Sequence, residues 1–104
     1  MASKKYEIKY LSTFISQFNN ILYYITYELN NKIAADNFYN EVVKQIEIRS
    51  ESPESYEVFK TLKNENVKYY KINVKNYTIF YTVKISIMEV RRIYYNQRNF
   101  DKFI

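Results

Sequence analysis

The sequence predicts an α+β fold in one domain, with an N-terminal strand and an antiparallel helical hairpin packed on one face of a small, mostly antiparallel C-terminal sheet. Three observations lead there. Between residues 14 and 46 apolar side chains recur every three or four positions, the spacing that lines one side of a helix. Before that stretch, and again beyond Pro53, the period falls to two, which marks half-buried strands. The chain has 104 residues, room for one hydrophobic core and no second domain.

Lys5, Tyr6, Glu7, Ile8, Lys9 and Tyr10 alternate charged and apolar and form the first strand. Ser12 or Thr13 is placed to cap a helix whose stripe is Phe14, Phe18, Ile21, Leu22, Ile25 and Leu29. Asn30 and Asn31 end it, because Asn accepts the left-handed conformation best after glycine. From Ile33 a second helix turns Ala34, Ala35, Phe38, Val42 and Ile46 to one side and stops before Ser50-Glu51-Ser52-Pro53. Helices joined this briefly pack as an antiparallel hairpin. Val58 to Leu62 reads as a short edge piece. Residues 69–74 and 77–83 are rich in β-branched and aromatic side chains, and Lys75-Asn76 between them reads as a tight turn. Residues 85–94 supply a third run. The tail from Asn99 to Ile104 shows no period.

The composition excludes much chemistry. Gly, Cys, His and Trp are absent and Pro occurs once. Without Gly there is no phosphate-cradling loop and no dinucleotide fingerprint, so no cofactor is expected. Without Cys or His there is no thiol nucleophile, imidazole base or disulfide; only carboxylates remain as possible metal ligands, and no metal site is expected. Any catalysis rests on Lys, Arg, Tyr, Glu, Asp, Ser or Thr. The first twenty residues hold no apolar leader and no run reaches membrane-spanning length, which predicts a soluble, cytoplasmic protein without a membrane partner. The net charge of +5 is unevenly spread: residues 1–57 carry −2 and residues 58–104 carry +7. A basic half suits a phosphate-rich or an acidic partner.

The order of elements, the Ala34-Ala35 opening of the second helix, Pro53 after it, the hairpin from Lys71 to Tyr81 and the ending Arg92-Ile93-Tyr94-Tyr95-Asn96-Gln97-Arg98-Asn99 resemble the RelE/ParE superfamily of bacterial toxin–antitoxin toxins. The resemblance covers nearly the whole chain. It implies a type II toxin silenced by a cognate antitoxin. RelE-like members cut mRNA in the ribosome without metal, using the RNA's own 2′-hydroxyl, whereas ParE-like members poison DNA gyrase. The reading taken from the sequence is metal-independent, ribosome-dependent mRNA cleavage, with the ribosome and mRNA as partners. The alternatives are gyrase inhibition, or a degenerate member that only binds its antitoxin.

Cleaving RNA requires groups that orient the 2′-oxygen, take its proton, stabilise a phosphorane and protonate the leaving oxygen, and Arg, Lys and Tyr can divide that work. Arg98 stands where the resemblance puts a C-terminal basic motif and is the first candidate for a phosphate contact. Arg91 and Arg92 are neighbours in a strand and are expected on opposite faces. Arg92 and Tyr94, which share a face, are taken as catalytic with Arg98, and Arg91 is expected to pair with a carboxylate such as Glu89. Lys71 completes the catalytic set, alternating with Tyr69 and Asn73. Lys63, Lys68, Lys75 and Tyr95 are assigned to RNA binding, where basic and aromatic side chains pair phosphates and stack bases. One departure stands out. Many members of the superfamily carry Arg directly after the aromatic opening the third strand, where this chain has Tyr77-Thr78.

Overall fold

The computed structural model describes residues 5–59 and 67–96. β1 (Glu7–Tyr10) leads into α1 (Ser12–Tyr23), a π-helical turn (Tyr24–Glu28) and α2 (Lys32–Arg49), followed by β2 (Tyr70–Val74), β3 (Tyr77–Lys84) and β4 (Ile87–Tyr95). One sheet has the order β1-β4-β3-β2. β2, β3 and β4 are antiparallel neighbours, and β1 joins the far edge parallel to β4, with Glu7 opposite Ile87.

Both helices cover one face. Phe14 and Phe18 of α1 and Phe38, Val42 and Ile46 of α2 are buried against Tyr70, Ile72 and Val74 of β2, Ile79 and Tyr81 of β3, and Met88, Val90 and Ile93 of β4. Phe18 meets Phe38 edge-on at 5.9 Å between centroids, and Phe38 meets Tyr77 at 4.9 Å, so ring contacts lock the hairpin to the sheet. Ala35 leaves room for that approach, as its place on the predicted stripe requires.

Two local features differ from the sequence reading, each for a visible reason. Neither Ser12 nor Thr13 caps α1; Leu11 occupies the cap position in an extended conformation, because its N–H still bonds Val90 O at 3.0 Å and carries strand pairing up to the helix start. The first helix does not run on to Leu29 as an α-helix. Leu29 N bonds Tyr24 O and Asn31 N bonds Ile25 O, both at 3.0 Å, and this wider turn takes Leu29 off the stripe into solvent. Asn30 then reverses the chain at φ 51°, and Asn31 caps α2 by accepting from Ala34 N at 3.0 Å. In the 58–62 segment Phe59 bridges Tyr69; residues 60–62 lie outside the described residues.

Both hairpins turn in two residues, with positive φ at the first of each, Lys75 (53°) and Ile85 (58°). A chain without glycine has to place an ordinary residue there. Ile85 is the costlier choice, being β-branched and 90% exposed, with no packing to offset the clash. Ile85→Asn should therefore raise the unfolding free energy by about 1 kcal/mol, seen as a melting point several degrees higher. An unchanged melting point would show that the turn carries no strain.

Candidate functional site

The sheet face turned away from the helices carries the alternate residues: Lys71 and Asn73 of β2, Thr78, Phe80 and Thr82 of β3, and Glu89, Arg92 and Tyr94 of β4. Its floor is Phe80, fully buried although it faces away from the main core. Phe59, Tyr94 and Tyr69 surround it with ring centroids at 5.3, 6.3 and 6.4 Å. Asn73 pairs with Thr78 across the strands, and Thr78 Oγ1 donates to Asn73 Oδ1 at 2.9 Å.

Arg91 corrects the sequence reading. Phe80 pairs with Arg92 but Tyr81 pairs with Val90, so Arg91 is the extra residue of a β-bulge. The bulge cancels one step of alternation and brings both arginines to the outer face. Arg91 Nη1 meets Glu89 Oε1 at 3.2 Å, the carboxylate the sequence suggested, and its guanidinium lies 5.8 Å from the Tyr69 ring centroid. Thr82 Oγ1 also reaches that oxygen, at 3.4 Å. Glu89 is thereby committed. Arg92 has no ion pair among the described residues, and Lys71 Nζ stands 5.3 Å from the Phe59 ring centroid.

Of the predicted site residues, Lys71, Arg92 and Tyr94 thus share one face. Lys75 and Tyr95 belong elsewhere: with Tyr24 and Tyr77 they line a cavity of about 460 Å³ at the helix side of the β2–β3 hairpin. A neighbouring cavity of about 600 Å³ shares Tyr24, Tyr77 and Tyr95 and runs along the part of β4 that β1 leaves uncovered. There Gln17 Oε1 accepts from Ile93 N at 2.9 Å. Burial, then the nearby phenols of Tyr95 and Tyr24, raises the pKa of Tyr77. Lys68 is exposed just ahead of β2. Arg98 and Lys63 lie outside the described residues. Among the described residues no acidic cluster can hold a metal ion, and no helix is long and apolar enough to cross a membrane.

The sequence reading passed over Arg49. At the end of α2 it donates through Nη1 to Lys71 O at 3.1 Å and to the Tyr81 hydroxyl at 3.0 Å, with its guanidinium 3.6 Å above the Tyr56 ring centroid. It ties the helix to the β2 edge. One signal was available, since Arg49 is the only arginine in the acidic first 57 residues.

A family model described as the ParE toxin of type II toxin–antitoxin system, parDE, matches residues 8–100. The chain belongs to the ParE toxin family. Two solved structures share the fold of this ParE-family toxin. The chromosomal ParDE toxin–antitoxin system from P. aeruginosa superposes with a TM-score of 0.71 at 12% identity, covering 89% of this chain and 98% of that one. The archaeal RelE–RelB complex from Pyrococcus horikoshii OT3 gives 0.61 at 14% identity, covering 92% and 100%. No curated protein matches the chain significantly. The α+β architecture read from the sequence and the superfamily it resembles are therefore those of the ParE-family toxin.

Proposed function

We propose that this ParE-family toxin arrests growth by inhibiting DNA gyrase, without cutting nucleic acid, and is neutralised by a cognate antitoxin. The antitoxin follows from the family and from the two similar folds, each solved as part of a toxin–antitoxin system. The observation that carries the gyrase reading is the match to the ParE toxin model over residues 8–100. Thr78 is 1% exposed and its hydroxyl is bound to Asn73, so this position offers no cation for a phosphorane. The carboxylate of the outer face, Glu89, is already engaged by Arg91 and Thr82.

Purified toxin added to gyrase and relaxed plasmid is expected to suppress supercoiling, while mRNA on translating ribosomes stays intact. Full supercoiling at excess toxin would sink the reading. Ribosome-dependent mRNA cleavage is the second reading, favoured by one observation: Lys71, Arg92 and Tyr94 share the outer face. Newly mapped mRNA 5′ ends would establish it in place of the first. Arg92→Ala should relieve growth arrest under either reading, changing stability by only about 0.5 kcal/mol.

A further inference from the structure

From Leu11 to Asn31 the chain holds one charged residue, Glu28, although charged residues make up 26% of the whole. A helix on a protein surface ordinarily turns a charged face to water, and α1 with its π-helical turn does not. At the tip of the helical hairpin Tyr23, Tyr24, Tyr27, Leu29 and Ile33 all stand in solvent, Tyr27 at 67% exposure and Ile33 at 75%. The π-helical turn builds this patch. It moves Leu29 off the buried stripe, and Tyr27 within it meets Tyr23 with ring centroids 4.7 Å apart. Together the five side chains expose about 650 Å² of mostly apolar surface, above the roughly 300–600 Å² of the largest patch on an ordinary monomer.

We propose that the hairpin tip is a homodimer interface, in which a second copy of the chain packs the same residues against it across a two-fold axis. The interface goes beyond the gyrase reading and does not depend on it. Two such patches closing on each other bury about 1,300 Å², within the range of about 1,200–2,000 Å² for specific pairs. Charge selects the occupant. The chain carries +5, so two copies repel where their basic halves meet, whereas residues 23–33 contain only Glu28 and Lys32 and sum to zero. A neutral surface does not attract an acidic or phosphate-rich partner, while a two-fold contact needs a surface complementary to itself. Abundant tyrosine and few charges are also the composition of an interface centre. The Tyr23 and Tyr27 rings already rest on each other, so they lose little freedom when the second copy arrives.

The test is sedimentation equilibrium of the full chain over about a hundredfold range of concentration. The mass is expected to rise from 12.8 kDa and level off at twice that value. Tyr27→Asp and Ile33→Asp each put a charge into the contact at an exposed site, and should weaken dimerisation about tenfold with an unchanged circular dichroism spectrum. Ile85→Asn alters another exposed isoleucine, at the opposite end of β4 from Tyr95, which lines a cavity with Tyr24, and should leave the association as it is. A constant mass of 12.8 kDa, growth without a plateau at two copies, equal weakening in Ile85→Asn, or full dimerisation in both Asp variants would overturn the proposal. A chain that stays monomeric while Tyr27→Asp relieves growth arrest would also overturn it, and would give the tip to the toxin's target.

Discussion

Replacing Phe80 by Ala should lower the unfolding free energy by about 3–5 kcal/mol and abolish growth arrest at the same time. Phe80 is fully buried, yet it belongs to neither helix packing nor the main core. Its ring is the floor on which Phe59, Tyr69 and Tyr94 rest, and its backbone partner Arg92 sits at the bulge. Removing it leaves a cavity beneath the residues that form the outer face, so stability and site geometry fail together. Total stabilities of about 5–15 kcal/mol make such a loss a large fraction of the whole. Phe80→Leu fills most of the volume and should cost less than about 1.5 kcal/mol. Urea unfolding of the three proteins checks this. A loss under about 1 kcal/mol for Phe80→Ala would mean that the rings close over the gap and that Phe80 does not hold the site.

Phe80 also shows where sequence reading stops. Period-two alternation located β2, β3 and β4, and the Lys75-Asn76 turn followed because two β-rich runs left only two residues between them. The same alternation put Lys71 with Asn73 and Arg92 with Tyr94, and the register of the strands brings the two sets to one face. Alternation failed at Arg91, because a bulge without glycine has no local signature; the extra residue exists only in the pairing of β4 with β3. The π-helical turn escaped for a related reason. Its apolar spacing continues that of α1, and only the i→i+5 hydrogen bonds reveal that Leu29 has left the stripe. Arg49 bonds partners 22 and 32 positions away, contacts that no window along the chain contains. Local period fixes elements and faces, while register and long-range ties decide which cations gather.

Tyr81→Phe tests one of those ties and should cost about 1–3 kcal/mol at neutral pH. The Tyr81 hydroxyl donates to Pro53 O at 2.7 Å and accepts from Arg49 Nη1 at 3.0 Å, so its loss orphans a buried carbonyl and slackens the helix-to-strand anchor. The ring itself stays, stacked on Tyr70 at 5.2 Å. Burial raises the pKa of Tyr81 above 10.0, although the Arg49 hydrogen bond and charge pull it partly back. The folded state therefore holds this proton more tightly than the unfolded chain does. The resulting stability is present in full below pH 10.0 and is lost as pH climbs from there through the folded pKa. Tyr10, Tyr70 and Tyr77 shift in the same direction and add to the alkaline loss. Each such group contributes at most about 1.4 kcal/mol per pH unit within its window. Tyr81→Phe should thus lower the neutral plateau yet fall less steeply above pH 10.0, measured by urea unfolding across that range. An alkaline slope identical to that of the parent chain would show that Tyr81 ionises equally in both states, and that its hydroxyl is not held as the geometry requires.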